Sequence, residues 1–322
     1  MNADRLRTSP ERTLFVTAAI FSALCWLILL ITIVGAVYGV LIGAFVFFAH
    51  AVFIAHIRGN GVKITGDQFP ELHAKIALAS ERLGLVTPTE AYVIQSGGML
   101  NAFATRFLSR NFIVLYADLL EACGDDGHET DMIIGHEVGH LALKHLKRMI
   151  FLLPARVAPW LGSAYSRACE SSCDLCGMEV AGDLEGSIRG LAILATGGKY
   201  ARRLDVDAYM KQVGETNGFW MSVCELNASH PFLSKRIASL INHRNPGTIP
   251  VPGRHPLAYP VAPFLGVGPA SGGSGGLVMV MILGILAAIA IPNYMQFKEK
   301  AEKAAAARHE LRLPPIPAST SP

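Results

Sequence analysis

An uncharged apolar run near the N-terminus is the strongest constraint on the fold of this chain. From Leu14 to Ile57, 44 residues pass without a Lys, Arg, Asp or Glu. A helix needs about twenty apolar residues to cross a bilayer, so the run predicts two transmembrane helices with a tight turn near 35–43. A cleaved signal peptide is the alternative, but its apolar core is only about 7–15 residues long. The composition, 51% hydrophobic and 16% charged, also indicates a membrane protein.

Basic residues flank this hairpin on both sides. Three arginines lie in the N-terminal segment 1–13, and Arg58 and Lys63 follow the second apolar stretch. Positive charge on both flanks is typical of a helical hairpin whose two ends lie in the cytoplasm. We therefore expect a multi-pass membrane protein whose main domain, residues 58–245, is cytoplasmic.

The run HEVGH, from His136 to His140, is typical of a zinc site. Positions i and i+4 share one face of a helix, so the two histidines can offer their imidazoles to one metal ion. Glu137 lies about 100° around the helix from His136, where its carboxylate can take a proton from an activated water molecule. Chance would produce these three fixed residues in roughly one such chain in a hundred, so a zinc site is the favoured interpretation.

A catalytic zinc site needs a third protein ligand and an open position. One common extension of the motif would place a histidine at position 146, but the chain has Leu146 there. His145 is expected to rotate off the metal-facing side of the helix. Glu170 and Asp174 share a helix face at i and i+4, so Glu170 can bind zinc while Asp174 accepts the second N–H of a ligand histidine. A solvated helix face is the alternative for such a pair.

Four motifs, taken in order, resemble the HtpX-like membrane zinc metallopeptidases (metallopeptidase family forty-eight), which include the CAAX prenyl proteases. They are LNAFATR at Leu100–Arg106, HEVGH at His136–His140, SRACESSCD at Ser166–Asp174 and SHPFLSKR at Ser229–Arg236. The resemblance implies that Glu170 is the third zinc ligand, with Asp174 behind the ligands. It also implies that Asn101 and His230 face the catalytic cleft, and it adds Arg236 as a second residue behind the ligands. Without it, His230 would be an ordinary loop histidine and Asn101 a turn residue.

The resemblance further implies one Zn²⁺ per chain, an endopeptidase activity, and misfolded or membrane-associated polypeptides as substrates in the bacterial inner membrane. The expected fold class is α+β, mainly α: a zincin-like domain with a small sheet, preceded by the helical hairpin. The HtpX type carries further membrane spans between the second histidine and the glutamate. Here the apolar stretch between them, Met149–Leu161, is too short to span and is interrupted by prolines, so we expect a buried or interfacial segment.

Local patterns within the domain predict a helix over 72–83, ended by Gly84, and strands over 91–95 and 112–116. A further helix is expected over 117–122. An edge strand could bind an extended substrate by strand addition. The candidates for that edge are residues 91–95 and the NAFA segment.

Cys169, Cys173 and Cys176 form one stripe on the helix that carries Glu170. Free cysteines usually pack as small hydrophobic residues, and a buried stripe is the favoured interpretation. A second metal site or a redox switch is the alternative. The six cysteines suit a reducing compartment better than a disulfide framework.

The C-terminal region has a different composition. Residues 246–276 are rich in Pro and Gly and predict a linker. Residues 277–312 predict an apolar and then charged helix, and 284–301 resemble the N-terminal helix of type IV pilins. The acidic residue of pilins is absent, since Gly275 occupies its position, so a third membrane anchor is the favoured interpretation. Residues 313–322 are expected to be disordered.

Other functions are disfavoured. The net charge of +3 is not concentrated in a basic stripe with aromatic residues, so no nucleic-acid partner is expected. The chain has no glycine-rich phosphate loop, so no nucleotide is expected. The remaining alternative is a non-hydrolytic membrane scaffold or chaperone, linked to pilus-like assemblies, in which zinc is structural. Structural zinc sites are closed by four ligands and rich in cysteine, so Glu137 and a set of three ligands favour hydrolysis of polypeptides at a lipid bilayer.

Overall fold

The computed structural model describes residues 2–31, 33–124, 127–158, 160–265 and 291–303. The chain divides into two units, Met1–Gly275 and Gly276–Pro322. In the second unit residues 291–303 are helical. The earlier part of the pilin-like helix and the predicted tail 313–322 lie outside the described residues.

Helices dominate the first unit. The α-helices are α1 (Ser9–Ile31), α2 (Ile33–Asn60), α3 (Pro70–Leu83), α4 (Ala117–Cys123), α5 (His128–Ala142), α6 (His145–Arg148), α7 (Leu153–Val157), α8 (Leu161–Ala181), α9 (Leu184–Thr196), α10 (Gly198–Ala201), α11 (Val206–Lys211), α12 (Phe219–Asn227), α13 (Leu233–Arg244) and α14 (Ala258–Val261). Short 3₁₀ segments cover Ala3–Arg5, Gln212–Asn217 and Ala262–Phe264. The predicted helix over 72–83 is confirmed, and Gly84 ends it in the left-handed region at a φ of 70°.

Four short strands form one mixed sheet. They are β1 (Val62–Ile64), β2 (Thr89–Ile94), β3 (Ala102–Phe107) and β4 (Arg110–Tyr116), in the order β1-β2-β4-β3. Strands β2 and β4 are parallel, and the other two pairs are antiparallel. The two predicted strands are confirmed, but the assignment of 91–95 to an edge is wrong because β2 lies between β1 and β4. Within the described chain, β3 of the NAFA segment is the edge nearest the cleft.

The hydrophobic core fixes α5 against this sheet. Ile113 and Leu115 of β4 are fully buried and belong to one cluster with Ile134 and Val138 of α5. These α5 positions are four residues apart, so they lie on the face of the helix that packs on the sheet. The fold is therefore mostly helical with a small sheet, in agreement with the predicted class.

Helices α1 and α2, of 23 and 28 residues, are long and apolar enough to cross a membrane by length and composition. The predicted turn near 35–43 is wrong, since those residues lie inside α2, which is already helical from Ile33. The glycines in this uncharged stretch do not end the helix. In an apolar environment the backbone N–H and C=O groups need hydrogen-bond partners within the segment, and a helix provides them.

The short apolar segment 149–161 packs against α1. The Trp26 indole N–H donates to the Phe151 carbonyl oxygen at 2.8 Å, and the Ala155 N–H donates to Ser22 Oγ at 3.2 Å. Ile150 is 75% exposed, whereas Leu152 is buried. The segment is thus partly buried and partly exposed, beside the first apolar helix.

The first part of the predicted linker packs onto the domain instead of extending from it. The Asn227 side-chain amide donates to the Ala262 carbonyl oxygen at 2.9 Å, and Arg254 pairs with Glu225 of α12 at 2.9 Å. Ala258 and Ala262 are fully buried. Small residues in a proline-rich stretch allow this close packing.

Candidate metal centre

Helices α5 and α8 approach each other closely at a glycine. A Cβ placed on Gly139 would lie 2.9 Å from the Cys176 Cβ, a separation that real Cβ atoms essentially never show. A larger residue at this position would therefore push the helices apart. The close packing of the two helices brings His136 and His140 of α5 beside Glu170 of α8.

These three side chains place one potential metal-binding atom each within 4.8 Å of one another. His136 Nε2 lies 3.3 Å from Glu170 Oε2, and His140 Nε2 lies 3.3 Å from Glu170 Oε1. Ligand atoms bound at about 2.1 Å in a tetrahedron lie about 3.4 Å apart. The observed separations therefore fit one ion of the size of zinc.

Glu170 itself indicates a missing cationic partner. Its Oε2 atom is buried and accepts no hydrogen bond from the described residues. Burial acts to raise the pKa of Glu170, but the imidazoles of His136 and His140, each 3.3 Å from one of its oxygens, lower it well below its usual value. A buried charged oxygen without a close partner is costly, so a bound cation is favoured here. Two imidazoles and one carboxylate are also a ligand set of catalytic zinc sites.

A buried ion pair supports His136 from behind. The His136 Nδ1–H donates to Asp174 Oδ1 at 2.9 Å, which leaves Nε2 for the metal. Arg236 binds the same carboxylate twice, from Nε at 2.8 Å and from Nη2 at 2.6 Å. Burial acts to lower the pKa of His136, but Asp174 and Glu170 raise it to about 10. The surroundings of this imidazole therefore favour positive charge.

A different chain of contacts supports His140. Its Nδ1 lies 3.1 Å from His145 Nδ1, and His145 Nε2 lies 3.0 Å from Glu11 Oε1 of α1. Burial lowers the pKa of His145 to about 4, in spite of its hydrogen bond with Glu11. His145 is therefore a neutral imidazole that can accept at one nitrogen and donate at the other. His145 thus contacts the Nδ1 side of His140, a contact that the sequence did not predict.

A cavity of about 280 Å³ opens beside the ligands. Glu137 lines it, and its carboxylate accepts no hydrogen bond from the described part of the chain. Much of the remaining lining is apolar and includes Leu100, Leu119, Met132, Ile133, Leu191, Leu194 and Leu233. The cavity thus combines a free carboxylate with an apolar surface.

His230 and Asn101 also line this cavity. The Ser229 hydroxyl lies 2.9 Å from His230 Nδ1 and can donate to it, which leaves Nε2 as the N–H donor, 3.5 Å from Glu170 Oε2. Partial desolvation of the imidazole at the cavity lowers the pKa of His230, so its neutral form is favoured. Asn101 Oδ1 accepts the N–H of Ala102 at 2.9 Å, so the side-chain amide N–H groups of Asn101 are available to the cavity.

The cysteine stripe is buried. Cys169 is 5% exposed, and Cys173 and Cys176 are fully buried. Burial raises the pKa of Cys176 to about 12 and raises those of the other two thiols as well. Neutral thiols packed between helices agree with the predicted structural role.

The structure brings together all the predicted site residues: Glu137, His230, Asn101, His136, His140, Glu170, Asp174 and Arg236. Sequence reasoning placed His145 away from the metal-facing side, and His145 is not one of the three side chains that converge at Glu170. Nothing in the sequence indicated its contact with His140 Nδ1. Sequence reasoning also missed Glu11 entirely. The only signal in the sequence was that Glu11 lies just before the uncharged run 14–57, and this position does not connect it with the metal centre.

The sequence profile of peptidase family M48 matches residues 67–161 and 149–244. Together the matches cover 67–244, more than half of the 322 residues. No curated protein and no solved structure matches the chain. The predicted resemblance is confirmed at the level of the family, while the HtpX-like subtype and the pilin-like helix stay predictions. The chain therefore belongs to peptidase family M48, a family of metal-dependent peptidases.

Proposed function

We propose that this protein is a membrane-anchored zinc endopeptidase with a zincin-like domain. The observation that carries the proposal is the convergence of His136, His140 and Glu170, with the unpaired carboxylate of Glu137 lining the cavity beside them. The three residues would hold one zinc ion, and an unpaired carboxylate at its side supplies the base that hydrolysis needs.

Zinc bound at these three residues would polarise the substrate carbonyl and make a water molecule acidic at neutral pH. Glu137 takes the proton of the attacking water and later delivers it to the leaving amine. His230 donates from Nε2 to the developing oxyanion, and the Asn101 amide helps to position the peptide. Asp174 and Arg236 hold His136 in the tautomer and orientation that the site requires.

The cleft fits an extended polypeptide. Asn101 and Ala102 line the cavity at the start of β3, and the outer edge of β3 is open to strand addition in the described chain. The apolar wall favours a large hydrophobic residue beside the scissile bond. Such residues are exposed in misfolded or membrane-associated proteins, which we propose as the substrate class in a quality-control role.

Helices α1 and α2 would anchor the protein in a lipid bilayer, and the many exposed apolar side chains on both helices support this location. Basic residues on both flanks favour a cytoplasmic peptidase domain in a bacterial inner membrane.

The test is a joint measurement of zinc content and casein cleavage on the full chain in detergent. We expect one zinc per chain and cleavage that is lost on treatment with a chelator and restored by Zn²⁺. The Glu137→Gln variant, which keeps all three ligands, is the inactive control. Stoichiometric zinc without any cleavage by the wild-type protein would contradict the proposal and favour a scaffold or chaperone.

A further inference from the structure

A carboxylate from the N-terminal segment lies buried behind the metal centre. Glu11, in the first turns of α1, is fully buried, although the helix continues into the uncharged apolar run. Its Oε1 contacts Arg7 and lies 3.0 Å from His145 Nε2. A buried carboxylate is retained only where partners offset its desolvation, and these contacts of Oε1 supply part of that offset. The second oxygen, Oε2, is buried without a hydrogen-bond partner among the described residues.

His145 connects this carboxylate to a metal ligand. A neutral imidazole carries one N–H and one acceptor nitrogen. Glu11 accepts the Nε2–H of His145, which leaves His145 Nδ1 as an acceptor for the Nδ1–H of His140, 3.1 Å away. His140 then presents the lone pair of Nε2 toward Glu170, where the metal would bind. One carboxylate thus fixes the tautomers of two histidines in series.

We propose that Glu11 is a positioning residue of the metal centre, acting through His145 on His140. The proposal rests on the zinc site proposed above, and it assigns a part of that site to the segment that leads into the first apolar helix. Residues that orient ligand histidines commonly change metal affinity by about 10–100-fold when they are removed.

The segment around Glu11 is docked firmly enough to hold it there. The Thr8 N–H donates to Ser172 Oγ of α8 at 3.0 Å, and Arg7 donates to the Leu143 carbonyl oxygen at 2.9 Å. Leu143 directly follows α5, which carries both ligand histidines. The N-terminal segment is therefore held by α8 and by the residue that ends α5, in addition to the contacts that Glu11 itself makes.

A second metal ion is the competing explanation of the same side chains. Glu11, His145 and Cys169 place potential ligand atoms within 4.8 Å of one another. The guanidinium of Arg7 contacts Glu11, however, and a cation already in that position opposes another. The hydrogen-bonded chain is therefore favoured over a second ion.

The experiment measures zinc affinity by chelator competition, together with the visible spectrum of the Co²⁺-substituted protein, on the full chain in detergent. Glu11→Ala is expected to weaken zinc binding by about 10–100-fold and to change the Co²⁺ spectrum, while Glu11→Gln, which keeps an acceptor oxygen, restores most of both. Thr8→Val is the matched control, because it removes the contacts of the Thr8 hydroxyl with Ser172 and with the Glu11 backbone N–H but leaves the side chains of Glu11 and His145 unchanged.

A double-mutant cycle gives a second readout that does not depend on peptidase activity. Losses of zinc affinity from Glu11→Ala and His145→Ala should be strongly non-additive, because the two residues act in one chain. Equal affinity in wild type, Glu11→Ala and Thr8→Val would overturn the inference, even if the wild type binds zinc and cleaves casein. Two zinc ions in the wild type and one in Glu11→Ala would also overturn it, in favour of the second ion. A wild type that binds no zinc would refute the proposed function and the inference together.

Discussion

The two ligand histidines are supported in opposite ways. His136 rests on Asp174 and Arg236, an ion pair formed by two charged groups within the peptidase domain. His140 rests on the neutral ring of His145, whose carboxylate partner Glu11 is 134 residues away along the chain. Asp174 and Arg236 lie inside residues 149–244 of the family match, whereas Glu11 lies outside both matched ranges. One support thus lies wholly inside the region that matches the family, and the other depends on a residue outside it.

The difference predicts that the two supports fail differently. Loss of Asp174 leaves a buried Arg236 unpaired, so folding and metal binding suffer together. Loss of Glu11 leaves Arg7 with Asp4, 2.9 Å away, and with the Leu143 carbonyl oxygen. Metal binding should then suffer more than folding.

The largest effect is expected from a substitution of the base, Glu137, which leaves the residues that support His136 and His140 unchanged. Glu137→Gln should reduce the rate of casein cleavage by about 10²–10⁴-fold, because the amide cannot accept the proton of water. Zinc content should stay at one per chain by metal analysis. Loss of zinc in this variant would mean that Glu137 is needed to hold the metal. Its role as a base could then not be separated from metal binding.

Asp174→Ala should destabilise the protein by about 3–5 kcal/mol, since it leaves a buried guanidinium without its partner. Denaturant unfolding of the metal-free protein in detergent measures this effect, and Glu11→Ala under the same conditions is the comparison. A larger loss of stability for Glu11→Ala would reverse the contrast between the two supports.

His230→Ala should slow cleavage by an amount equivalent to about 2.7–4 kcal/mol of transition-state stabilisation, the range for one oxyanion donor. The variant should keep its zinc affinity, because His230 lies on the open side of the ligands and supports neither histidine. A weaker zinc affinity with an unchanged turnover of the loaded enzyme would assign His230 to metal binding instead.

Gly139→Ala should destabilise the fold by about 1–3 kcal/mol, because its Cβ would meet Cys176 and separate α5 from α8. The close packing of α5 on α8 also places His136 and His140 beside Glu170, so zinc affinity should fall as well. Gly214→Ala is the control, since a Cβ there meets nothing within 4 Å. Equal melting temperatures for the two variants would contradict the close-packing argument.

Much of this site could be predicted from local sequence. HEVGH places His136, Glu137 and His140 within about one helical turn, and the spacing of Glu170 and Asp174 places two carboxylates on one face of another helix. The structure brings these side chains together because helix geometry alone determines which side chains share a face. The strands 91–95 and 112–116 were found for the same local reason.

The errors arose where tertiary contacts decide. Nothing local shows that β2 has neighbours on both sides, so the edge was assigned to 91–95 as well as to the NAFA segment. Residues 246–265 look like a linker by composition, yet Ala258 and Ala262 fill space on α12. Glu11 could not be found because its partner lies 134 residues away, and no pattern of spacing connects them.

The contacts of α1 with the short segment 149–161 have a practical consequence for anyone preparing a soluble fragment. Trimming the chain back to residue 58 removes Trp26 and Ser22, which cap the Phe151 carbonyl oxygen and the Ala155 N–H. It also uncovers Leu152 and takes away Glu11 and Thr8 in the same cut. Such a fragment would expose an apolar surface that favours aggregation and would have a weakened metal site. Aggregation or low activity of the fragment would therefore say little about the intact protein.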